Sequence, residues 1–175
     1  MKDRVDPSVE NSGAEQAIAT TTAIPLAALP SVSAAAVRKK TLLGHERDEF
    51  PIALARHGRA LEVFEHSGAV LATVFAYLLQ KRGLDLTHSR HDGVASAITR
   101  ARGSSFLVLA EEHLPLADEL TGAAAGCDEL AAFFAAFNQT REGPEVGEAM
   151  REGIQFLQRA LEAVTPGTVV LVAIL

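Results

Sequence analysis

The final eight residues, Thr168 to Leu175, read TVVLVAIL. The run is β-branched and apolar throughout, and the turn-forming Thr165-Pro166-Gly167 sets it off from what precedes. A strand with one wet face alternates polar and apolar residues, so a run that does not alternate has to be covered on both faces. The chain is therefore expected to bury this segment, with other elements packed above and below it. A second short apolar run, Ser105 to Ala110 (SFLVLA), is its candidate partner. A helical crossover between the two would make them parallel. At this length periodicity does not separate a buried strand from a piece of helix.

Most of the remaining sequence has helical period. Between Pro51 and Gly83, Leu54, Leu61, Phe64, Leu71, Phe75 and Leu78 recur at the steps of a helix with one buried stripe. This predicts one long helix capped by Asp48 or Glu49 and stopped at Gly83, although Gly58 and Gly68 fall inside it. A shorter helix is expected over Ser89 to Arg102, where Ser89 and Asp92 have the spacing of a capping box. Helices near 115–125 and 128–138 follow, and a last one shows Val146, Met150, Ile154, Leu157, Leu161 and Val164 on one face. The expected class is α+β and mainly helical: four to six helices with two short buried strands, about 105–110 and 168–174, able to pair in parallel. An all-α fold is the alternative.

Residues 1–40 differ in character. The stretch Ala17 to Val37 carries no charge, but Pro25 and Pro30 interrupt it and Thr, Ser and Ala dilute it. A membrane span needs about 20 strongly apolar residues in one helix, so this segment does not read as one. Acidic Asp3, Asp6, Glu10 and Glu15 also spoil a secretory signal. The expectation is a flexible arm over 1–40, able to lie along a partner, and a single globular domain over 46–175.

Charge and cysteine usage narrow the function. A formal net charge of −6 argues against nucleic acid, whose phosphates need a basic surface. The single cysteine, Cys127, allows no intrachain disulfide and no cysteine-based zinc site, which suits the cytoplasm. It stands at a predicted helix start beside Asp128 and Glu129, without a neighbouring histidine to activate it, and reads as a small buried or capping residue. Nucleotide-binding glycine loops and the nucleophile elbow of serine hydrolases are absent from the sequence.

One constellation invites a chemical reading. Residues 88–93 are His-Ser-Arg-His-Asp-Gly, and Glu65-His66-Ser67 stands upstream. Imidazoles and a carboxylate suit a first-row divalent cation, which can hold a phosphate and acidify a water. His66 followed by Ser67, with the later doublet His91-Asp92, resembles part of the HD superfamily of metal-dependent phosphohydrolases. That resemblance implies a divalent metal held by His66, His91 and Asp92, in a helical fold. The residues themselves support another reading, in which Ser89 or Asp92 caps the helix that follows, without a cofactor. Taken together, the sequence is read as a small soluble, cytoplasmic accessory or binding protein without a complete catalytic set. It would be a subunit of a larger assembly, engaging a protein partner or a second copy through its arm, with the metal phosphohydrolase as alternative.

Overall fold

The computed structural model describes residues 19–42, 45–122, 126–141 and 143–175. In chain order these form β1 (Ala19–Pro25), α1 (Leu29–Ala36), β2 (Lys39–Leu42), β3 (His45–Asp48), α2 (Glu49–His57), β4 (Arg59–Phe64) and α3 (Gly68–Tyr77). Then come α4 (Asp92–Arg102), β5 (Ser105–Leu109), α5 (Ala117–Gly122), α6 (Cys127–Asn138), α7 (Pro144–Glu162) and β6 (Thr168–Ile174). A π turn, Leu78–Arg82, prolongs α3, and a 3-10 turn, Glu111–Leu116, precedes α5.

Four strands make one sheet in the order β4-β1-β6-β5, every neighbour antiparallel, while β2 and β3 form a separate hairpin. The apolar run that ends the sequence is thus an inner strand, paired on both sides. Its even positions Val170 and Val172, with Ala19, Leu109 and Phe64, face a layer built from α3, α5, α6 and α7. Its odd positions Val169, Leu171 and Ala173, with Ile24, Phe106 and Val108, face α1, α2 and α4. Two cores, one on each face, explain why TVVLVAIL does not alternate. Each fully buried Val or Leu there contributes about 1.5–3 kcal/mol. The fold is mixed and mainly helical, and the sheet rules out the all-α alternative.

Three expectations need correction. First, β5 and β6 are antiparallel, the sheet has four strands instead of two, and the described residues form seven α-helices instead of four to six. The connection explains the direction: α6 and α7 pack side by side, joined by residues 139–143, so the chain runs out along one and back along the other. A single crossover helix would have delivered it to the opposite end of the sheet.

Second, the long helix predicted across 51–82 is three elements. It stops at Gly58, where a Cβ would stand 2.5 Å from Thr22 Cγ2 and 2.9 Å from the Leu54 carbonyl oxygen. Only glycine lets β1 pass so close, and the chain then continues as β4. The expected cap is present: Asp48 accepts a hydrogen bond from Phe50 N at 3.0 Å. The far end is also as expected, with Gly83 left-handed at φ 69°.

Third, residues 19–36 are not an arm. β1 is an inner strand between β4 and β6, and Leu29 and Val32 of α1 are buried against the sheet. Pro25 ends the strand and Pro30 falls in the first turn of α1, positions where proline breaks nothing. Thr21, read as diluting polarity, is buried and donates its hydroxyl to the Glu62 carbonyl at 3.3 Å. Residues 1–18 lie outside the described residues. None of the described helices is long and apolar enough to cross a membrane.

Candidate functional site

The segment from Gly83 to Asp92 is a loop tied down at almost every residue. Leu84 and Leu86 are buried in the helical layer. Asp85 Oδ1 accepts from Thr87 N at 2.8 Å and from Thr87 Oγ1 at 2.7 Å, and Asp85 Oδ2 accepts from His88 Nδ1 at 2.8 Å. Burial alone would raise the Asp85 pKa, but the bonds from Thr87 and His88 outweigh it and hold it below its ordinary value. The hydrogen bond to Asp85 raises that of His88.

Ser89 N donates to Asp92 Oδ1 at 2.8 Å, one half of the expected capping box. The other half is replaced, because Ser89 Oγ accepts from His91 N at 3.0 Å. Arg90 N donates to Glu112 Oε1 at 2.7 Å, and the Arg90 guanidinium pairs with Glu111 and Glu112. His113, buried on the other side of the loop, accepts from Ala110 N at 3.0 Å through Nδ1 and donates to the His88 carbonyl at 2.8 Å through Nε2. A carbonyl only accepts, so His113 is held as the neutral Nε2–H tautomer. His91 Nε2 is buried with no partner. These side chains fasten the entrance of α4 to the turn after β5.

His66 is elsewhere. It follows β4, and its Nε2 donates to Glu152 Oε2 of α7 at 2.7 Å, with the ring against Phe64 at 5.1 Å between centroids. β4 and β5 are the two outer strands, three spacings apart, or about 14 Å. His66 sits on the α7 face, at the Ala19–Phe64 end of the sheet. The His91-Asp92 doublet enters α4 on the other face, beside Ala110 at the opposite end. The structure does not bring His66, His91 and Asp92 together. Among the described residues no group of three or more His, Cys, Asp or Glu side chains could hold a metal ion.

Around His66 lies a cleft of about 570 Å³, lined by Glu62, Glu65, His66, Glu152, Gln155 and Arg159. Arg159 Nε donates to Glu62 Oε2 at 2.7 Å, which raises the Arg159 pKa. The cleft thus holds two pairs, Glu62 with Arg159 and His66 with Glu152. Neither was legible in the sequence, where the members stand 97 and 86 residues apart. A His–Glu dyad can orient an imidazole as a base, but no hydroxyl or thiol among the described residues hydrogen-bonds the ring.

Cys127 also proves unsuited to nucleophilic work. It begins α6 as predicted, and its Sγ donates to Glu148 Oε1 at 2.9 Å. That bond raises the thiol pKa, so the helix start does not activate it.

A second surface feature lies on α6. Leu130 and Phe134 point into the core, while Ala132, Ala136 and Phe137 are exposed, Phe137 by 47%. Phe133 stacks on Phe137 at 5.8 Å and meets the Tyr77 ring edge-on at 5.2 Å. Beside them is a groove of about 320 Å³ between α6 and the end of α3, with Lys81 and Glu129 at its rim. Tyr77 donates to Glu129 at 3.0 Å and accepts from Arg82 at 3.2 Å, which fixes the groove wall. No protein-family model matches the chain, no curated protein matches it, and no solved structure matches its fold at a significant level.

Proposed function

We propose that this chain is a non-catalytic accessory subunit that binds another protein through the α6 groove. One observation carries the reading: large apolar rings and two alanines form an uncovered stripe on α6, backed by a formed groove. Ala132, Phe133, Ala136 and Phe137 recur at helical spacing on one side, and the alanines leave room for a second helix to approach. Lys81, exposed and without an ion pair among the described residues, favours an acidic side chain beside the partner's apolar anchor. The lone, deactivated cysteine supports a reducing cytoplasm, and the acidic balance supports a protein partner over nucleic acid.

Docking through residues 19–36 finds no support, because they form an inner strand and a helix packed on the sheet. The test is a comparison of the wild-type chain with Ala136→Arg and Phe137→Asp, each tagged and recovered from cells of the source organism. Both positions are exposed, so the variants are expected to fold. A protein enriched with the wild type, depleted with both variants, and protecting α6 amides from exchange when recombined supports the reading. Identical recovered sets overturn it.

A further inference from the structure

The sheet has two edges, and they are treated differently. On β5 the Phe106 N–H is taken by Thr99 Oγ1 of α4 at 3.0 Å, and the Ala110 N–H just beyond the strand by His113. On β4 no side chain among the described residues hydrogen-bonds the outer backbone edge, and the strand pairs with β1 alone. Arg59–Phe64 contains neither proline nor lysine, and it carries a bulge at Leu61, where Thr21 faces Glu62 and Thr22 faces Ala60. Arg59, Ala60 and Val63 are exposed, Val63 by 54%.

Charge along this edge is polarised. Arg59, exposed and without an ion pair among the described residues, stands at its start. Glu65, also exposed and unpaired, stands at its end, beside the cleft that holds Glu62 and Glu152.

We propose that β4 pairs antiparallel with β4 of a second copy, the Arg59 guanidinium of each copy seated in the Glu62, Glu65 and Glu152 cleft of the other. An antiparallel two-fold contact sets the start of one strand against the end of the other, so it matches basic to acidic twice. The two Glu62 side chains then lie near the axis, with Arg59 of each copy toward Glu65 of the other. Each Glu62 keeps its own Arg159, which offsets the approach of the two carboxylates. A parallel contact would instead set Arg59 against Arg59 and Glu65 against Glu65. The product is one continuous eight-stranded antiparallel sheet, extending the pattern already present in each copy. This surface shares no residue with the α6 groove.

The test is sedimentation equilibrium of the full chain over a concentration series, with amide exchange read at residues 60–64. The wild type is expected to dimerise, with protection of these amides growing with concentration. Arg59→Glu alone and Glu65→Arg alone are each expected to raise the dissociation constant at least about tenfold, and the double variant to return it to within about threefold. Ala136→Arg is expected to leave it unchanged. A wild-type chain that stays monomeric throughout overturns the proposal, as does a dimer that survives Arg59→Glu or is lost in Ala136→Arg.

Discussion

Three glycines in helices separate local propensity from packing, and they should respond to alanine in a fixed order. In an exposed helix, alanine is favoured over glycine by up to about 1 kcal/mol. At Gly93, in the first turn of α4, an added methyl meets nothing within 4 Å, so Gly93→Ala should stabilise by a few tenths to about 1 kcal/mol. At Gly153 of α7 the methyl stands 2.9 Å from Val74 Cγ2, a side-chain atom that can move aside. Propensity and crowding then nearly cancel, leaving a change within about 0.5 kcal/mol. At Gly147 of α7 the methyl overlaps the carbonyl oxygen of Cys127 and stands 2.8 Å from its carbon. Carbon atoms prefer about 3.5–4.0 Å, so the first turn of α6 must retreat by on the order of 1 Å. Overpacking of this kind costs about 1–3 kcal/mol, and propensity returns at most about 1. A net loss of about 1–2 kcal/mol follows, or roughly 2–8 °C in Tm for a chain of this size. Urea unfolding followed by far-UV circular dichroism measures all three. The reasoning is refuted if Gly147→Ala is as stable as the wild type, or if Gly153→Ala loses more than Gly147→Ala.

The loop and the cysteine yield two further outcomes. Cys127 should alkylate slowly at neutral pH, and Glu148→Gln should move the iodoacetamide rate profile to lower pH by removing the carboxylate that holds the thiol proton; an unmoved profile contradicts this. By NMR, His88 should titrate above its ordinary 6.5 and fall back in Asp85→Asn. Because its folded pKa is raised, its contribution to stability is full below pH 6.5 and lost as pH rises through the folded value. Asp85, whose pKa is lowered, contributes the opposite way: its share is full above its ordinary 3.8 and lost as pH falls through the folded value. A His88 titration at or below 6.5 counts against both assignments.

What could be read from the sequence depended on whether a residue's role was local. TVVLVAIL was legible because burial on two faces leaves its mark on every residue of the run. The caps at Asp48 and Gly83 were legible because each partner lies within a turn. The helices from Cys127 and Pro144 were legible because a single face repeats over three or more turns. β1 was not: a strand flanked by two others can be built from Ala and Thr, since its partners supply the apolar cover. ATTTAIP therefore looks like a linker. β4 was hidden for a different reason. Leu61 and Phe64 continue a helical stripe from Leu54, and only the close approach of Thr22 at Gly58 breaks it. That contact joins residues 36 apart. The parallel pairing of β5 and β6 failed likewise, because strand direction depends on how α6 and α7 fold back on each other.

The histidines carry the same lesson into chemistry. A metal site needs donors from different elements to converge, whereas a cap needs only neighbours, and His88 to Asp92 are satisfied almost wholly by neighbours and by the turn after β5. The convergent charges of this molecule lie instead at His66 and Arg159, whose partners Glu152 and Glu62 no spacing could announce. Their position beside the uncovered edge has a consequence for assembly. An open strand carrying Ala60, Leu61 and Val63 would pair with any chain if it were neutral. With Arg59 at one end and Glu65 at the other, a parallel stacking sets like charges together, whereas the two-fold antiparallel contact brings Arg59 toward Glu65 twice. The cleft then stops being an empty hollow in one copy and becomes the socket for an arginine from the next, so an edge that invites aggregation is made to accept a single closed partner.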